Sequence, residues 1–146
     1  MQRRKASAAP LINEMGIVVG TDQSRFDEGL AIRKEVLGAE HVQRSWDNAT
    51  PFSRPMQELV TELAWGTIWS RQGLPRTTRS LLNIAMMAAL GHQDELRAHV
   101  RGALQNGCSI EEIQETVLQA SVYAGMPAGL AAFRIADAVI TEHLEA

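Results

Sequence analysis

The sequence predicts an all-α fold, and three observations carry that prediction. From Ser24 onward the apolar residues recur at spacings of 3 and 4, the period of a helix with one buried face. No segment alternates apolar and polar residues as a half-buried strand does. Ser109 stands three residues ahead of Glu112 at the head of an apolar run, the pattern of a capping box opening a helix.

The elements follow in order. Phe26, Leu30, Ile32, Arg33 and Val36 mark a first helix that ends near Gly38, and a short second helix covers about His41 to Asp47. Thr50 and Pro51 interrupt the chain. Pro55 suits the first turn of a longer helix carrying Met56, Leu59, Val60, Leu63, Trp65 and Ile68. Arg71 to Thr78 contains Gly73 and Pro75 and reads as a turn. Thr78 to Leu90 is apolar almost all round, as a central helix is, and Gly91 can end it in a left-handed conformation. Gln93 to Gln105 is amphipathic and stops at Asn106–Gly107. The helix capped by Ser109 runs to Tyr123, Met126–Pro127 resets the chain, and a last helix reaches about His143. The stretches Leu81–Leu90 and Gly129–Ile140 are more apolar than a small domain needs, which points to burial between subunits.

At 146 residues the chain has the length of one domain. Residues 1–22 read as a tail and 23–146 as the domain. A net charge of -3 and only 7 aromatic residues exclude a nucleic-acid platform. No run of about 18 apolar residues exists, so no membrane span is expected. Asn13 and Glu14 interrupt any signal-peptide core behind the basic N-terminus. The single Cys108 excludes an internal disulfide framework and any CxxC redox pair, and fits a cytoplasmic protein.

Two constellations could carry chemistry. His92, Glu95 and His99 stand at i, i+3 and i+7, on one helix face or its entry. They read as an acid–base pair in which Glu95 orients His99, as ligands of a divalent metal, or as a solvated charged face. The second constellation surrounds Trp69: Arg71, Arg76 and Arg79 lie within nine residues, across a turn and into a helix start. Arginine grips carboxylates with two parallel hydrogen bonds and a helix N-terminus favours anions, so a site for a di- or tricarboxylate is one reading. Surface ion pairs are the other. The small residues of ASVYAGMPAG, Ala120 to Gly129, suit close helix packing, with Tyr123 as a polar handle. No phosphate-cradling loop, nucleophile elbow or dinucleotide fingerprint occurs, which disfavours nucleotide chemistry.

In GLAIRKEVLGAEHVQRS, ELAWGTIWSRQGLPRTTRSLLNIAMMAALG, DELRAHVRGALQNG and EIQETVLQASVYAGMPA, taken in order, the chain resembles the carboxymuconolactone decarboxylase family. The likeness runs from about Phe26 to Ile140. It implies an all-helical subunit of the alkylhydroperoxidase-like type that forms a homo-oligomer, a hexamer or trimer, with no metal and no organic cofactor. The activity it implies is loss of CO2 from 4-carboxymuconolactone, giving the enol-lactone of 3-oxoadipate in the protocatechuate branch of the β-ketoadipate pathway. Where alkylhydroperoxidase-type relatives carry CxxC, this chain has His92 and Glu95, and His99 matches their histidine. A glutamate of those relatives falls near Ser80. Without thiols the disulfide-based chemistry cannot run. On this reading His99 donates a proton and Glu95 orients it, while Arg76 and Arg79 anchor a small-molecule lactone carboxylate. Arg33, Arg71 and Trp69 form the pocket wall, with Trp65 and Leu82 supplying an apolar environment.

Overall fold

Helix α1 (Gln23–Leu37) starts at Asp22, whose carboxylate accepts the N–H groups of Ser24 at 3.1 Å and Arg25 at 3.4 Å. It ends at Gly38, whose φ of +91° a side chain would rarely adopt. These coordinates are a computed structural model that describes residues 22–146, together with the backbone of Leu11–Ile12 and Val18–Val19. Apart from those positions and Asp22, the expected 1–22 tail lies outside the described residues.

Helix α2 (Ala39–Asp47) follows at once and begins two residues before the expected His41. Helix α3 (Arg54–Val60), with Pro55 in its first turn, runs without a break into a π-helical segment, Thr61–Trp69. Next come α4 (Arg76–Leu90), α5 (Gln93–Gln105), α6 (Ile110–Ala124) and α7 (Met126–Leu144). The capping box forms in both directions: Glu112 N–H donates to Ser109 Oγ at 3.0 Å, and Ser109 N–H to Glu112 Oε2 at 2.7 Å. Gly91, at φ +74°, ends α4 as expected. Among the described residues no helix is long and apolar enough to cross a membrane.

Three expectations change. The turn placed over Arg71–Thr78 is shorter, because Pro75 leads directly into α4 and Thr78 is already helical. A two-residue antiparallel pair joins Leu11–Ile12 (β1) to Val18–Val19 (β2), too short for alternation to reveal it. The third change is the π-helical segment. Its backbone bonding is i→i+5. Thr61, Glu62, Trp65, Gly66 and Trp69 are its buried residues, at spacings of three and four. Leu63 and Ile68, read from the sequence as apolar positions of this helix, are about half exposed.

A backbone-to-backbone contact fixes this segment on α1. A Cβ on Gly66 would overlap the Arg25 carbonyl oxygen and stand 2.8 Å from its carbon, and one on Gly29 would stand 2.6 Å from the Gly66 nitrogen. Only glycine fits at either position. Ile32 and Val36 of α1 pack here with Trp65 and Trp69, whose rings stack at 4.8 Å.

Helices α4 to α7 enclose the larger core, with Ile84, Leu96, Val100, Ile113, Val117 and Val139 at its centre. Gly129 brings α7 against Ser121 of α6, so the small residues of 120–129 serve close packing, while Tyr123 is exposed. Helix α4 buries only Ser80, Ile84 and Ala88. Its opposite side exposes Leu82, Met86 and Leu90, so within one chain the helix is central on one face only.

Candidate active site

The α1–π-segment contact and the loop that follows it shape a cavity of about 370 Å³. Glu28, Ala31 and Ile32 of α1 form one wall, and Trp69 closes the inner end. Ser70 to Gln72, Leu74 and Pro75 form the other wall, and Arg76 adds the first residue of α4. The size lies within the range of small-molecule sites. Two further concavities are less suited to an acid. One includes Arg101, which already holds Glu142 at 2.6 Å, and the other contains Glu115 and no cation.

Two hydrogen bonds hold the start of the loop. Ser70 Oγ donates to the Gly66 carbonyl at 2.7 Å, and Arg79 Nη2 donates to the Arg71 carbonyl at 3.1 Å. Arg79 thus reaches the cavity through the backbone of Arg71, and its buried Nε has no hydrogen-bond partner among the described residues. Arg71 lines the cavity and forms no ion pair with a described residue, whereas Arg76 Nη1 is held by Glu35 Oε2 at 2.6 Å.

Arg33 belongs to the other face of α1. Its side chain is buried, and Nη1 donates to Thr61 Oγ1 at 3.1 Å while Nη2 donates to Gln57 Oε1 at 2.9 Å. Both acceptors are neutral, Nε is unpartnered, and burial lowers the pKa of the group from the usual guanidinium value. A buried cation without a counter-charge is costly.

The acid–base constellation lies elsewhere. His99 and Glu95 are on α5, and neither lines the cavity. His99 is partly buried, which lowers its pKa, and the Glu95 carboxylate works in the opposite direction. Glu95 is exposed, and His92 sits just before α5 as an exposed residue. Among the described residues no three His, Cys, Asp or Glu side chains gather as metal ligands, so His92, Glu95 and His99 do not converge as such a site. Trp65 lies beneath Trp69, but Leu82 lines the α4–α6 concavity and is not near these tryptophans in any shared cluster.

The structure therefore joins Trp69, Arg71 and Arg76 at one cavity, with Arg79 bracing it, and leaves Arg33 and the His99–Glu95 pair outside its lining. Sequence reasoning missed Glu28 and Glu35. Their spacing of seven on α1, with Ala31 and Ile32 between, was a readable helical face. It also missed Gln57 and Thr61, one turn apart, whose only signal was the need of a nearby arginine for acceptors.

Comparison with known proteins adds a second line. Residues 54–138 match the Carboxymuconolactone decarboxylase family. The chain is 46% identical over 121 residues to a 4-carboxymuconolactone decarboxylase of Acinetobacter baylyi, covering 83% of this chain and 90% of that one. It is 47% identical over 120 residues to a nitrosuccinic acid decarboxylase of Metarhizium robertsii, covering 82% and 84%. An uncharacterized 15.0 kDa protein of Paracoccus denitrificans is 37% identical over 101 residues, covering 63% and 75%.

Proposed function

The chain belongs to the carboxymuconolactone decarboxylase family, and from that premise we propose that it is a carboxy-lyase removing CO2 from 4-carboxymuconolactone without a cofactor. The observation that carries this reading is the 46% identity extending over 90% of a relative with that named activity. The product is the enol-lactone of 3-oxoadipate, which assigns the enzyme to protocatechuate catabolism.

The substrate supplies its own electron sink. When the C–CO2 bond breaks, its electron pair flows through the ring double bond into the lactone carbonyl and gives a dienolate. A proton then goes to ring carbon. The protein binds the retained carboxylate, stabilises the developing oxyanion and delivers that proton. Arg71 and Arg76, braced by Arg79, are the donors at the cavity, and Trp69 is its apolar floor. Arg33, expected in the pocket wall, instead donates to Gln57 and Thr61 on the far face of α1 and has no role in binding at this cavity. We propose His99 as the proton donor with Glu95 as its partner; neither lines the cavity within one chain, so this role requires a substrate that reaches α5 from it.

We further propose a homo-oligomer, hexamer or trimer, in the cytoplasm. Leu82, Met86 and Leu90 form an exposed apolar stripe, as do Phe52, Met56, Leu59 and Leu63, and such surface is usually covered by association. The buried free thiol of Cys108 suits a reducing compartment. Light scattering coupled to size exclusion should give a mass of several 16.0 kDa subunits, and a monomer would refute the assembly.

A second reading has its own support, because the identity to the nitrosuccinic acid decarboxylase is as high. That substrate, too, places a carboxylate beside a group able to accept electrons. Purified protein offered 4-carboxymuconolactone and nitrosuccinate separately, with and without EDTA, should release CO2 from the lactone at the higher kcat/KM. Preference for nitrosuccinate would replace the substrate assignment. Loss of turnover with EDTA would overturn the cofactor-free part.

A further inference from the structure

Arg71 and Arg76 line the same cavity but are not electrostatically alike. Arg71 forms no ion pair with a described residue, and its backbone is fixed by Arg79. Arg76 is shared with Glu35, whose Oε2 lies 2.6 Å from Nη1. Glu35 itself is not in the lining, so it acts on a ligand only through Arg76. Both side chains of the pair are well exposed, at 42% and 59%. An exposed pair adds little to stability, so stability does not account for its geometry.

Decarboxylation makes opposite demands on the two cations. A carboxylate that stays is well served by a firm anchor. The carboxylate that leaves becomes neutral CO2, so any cation gripping it stabilises the ground state more than the transition state and slows the reaction.

We infer that Glu35 is a positioning residue that keeps Arg76 from clamping the scissile carboxylate, while the unshared Arg71 anchors the carboxylate that remains. This rests on the carboxy-lyase reading and on the cavity as its site. Glu35 occupies one edge of the Arg76 guanidinium and offsets its charge. Arg76 still orients the substrate and can turn its remaining donors to the lactone oxygen as charge develops there.

The inference makes an unusual prediction: removing Glu35 tightens substrate binding and slows turnover. E35Q should lower KM and kcat together, each by about 3- to 5-fold, the scale of one exposed ion pair, and leave kcat/KM nearly unchanged. E35D, which retains the charge, should restore both constants toward wild type. A merely structural Glu35 would lower kcat/KM in E35Q, or raise KM. Either result, or unchanged constants, overturns the inference. R71A and R76A measured beside it separate the two levels. If both lose kcat/KM while E35Q is silent, the cavity stands and the role of Glu35 falls. If both match wild type, the site assignment falls and takes the inference with it.

Discussion

Replacing Gly66 with alanine tests the contact on which the site rests. The added methyl would overlap the Arg25 carbonyl oxygen and stand 2.8 Å from its carbon, where ordinary contacts begin near 3.4 Å. Both opposing atoms belong to helical backbone, so no flexible side chain can yield. Helix α1 must therefore separate from the π-helical segment along the face holding Ile32, Trp65 and Trp69. Overpacking of this kind costs about 1–3 kcal/mol, and an unyielding backbone puts Gly66→Ala at the upper end. Alanine's better helix propensity returns about 1 kcal/mol. The net loss is about 2 kcal/mol, or roughly 4–8 °C in Tm for a chain of this size. Thermal unfolding followed by circular dichroism at matched protein concentration measures it. Gly73→Ala is the control, because a Cβ there meets nothing within 4 Å and its φ is not positive. That variant should match wild type or gain slightly. A Gly66→Ala protein as stable as Gly73→Ala would show that the two helices do not touch as described.

Other expectations are more direct. His99→Ala should lower kcat by at least about 100-fold if His99 gives the proton, and near-normal turnover would remove it from the mechanism. Burial lowers the pKa of His99, and burial with Arg44, Arg33 and Arg101 lowers that of His41. The folded state then binds fewer protons than the unfolded one, so stability should fall as pH drops below about 6.5 toward the folded pKa values. Denaturant midpoints in the double variant His41→Gln/His99→Gln should lose that slope, and an unchanged slope would contradict the assignment. Arg79→Lys removes the fork that holds the Arg71 carbonyl and should chiefly raise KM, whereas unchanged KM and kcat would confine Arg79 to structure. Ser109→Ala breaks the capping box and should cost about 1 kcal/mol, read as a lower Tm with unchanged kcat.

How much was legible depended on whether a feature is local. The Ser109–Glu112 cap, the stop at Gly91 and the close packing of the small residues 120–129 each involve neighbours near one junction, and the residue types announce them. The arginine cluster was equally visible. Its internal division was not, because Glu35 is 41 residues from Arg76 and only folding brings them together. Arg33 was singled out as a pocket residue, yet its acceptors at Gln57 and Thr61 lie across α1 from the cavity.

By itself the sequence determined the all-α class, the order of the helices and the family, because periodicity, caps and family motifs are properties of short runs of chain. Tertiary structure alone decided the winding of Thr61–Trp69. An α-helical period and a π-helical one differ by less than one residue per turn, and the sequence pattern of that stretch fits the former. The close approach of Gly29 and Gly66 fixes this segment on α1. That docking against α1 buries Thr61 beside Arg33, stacks Trp65 on Trp69, and leaves Arg71 and Arg76 at one cavity.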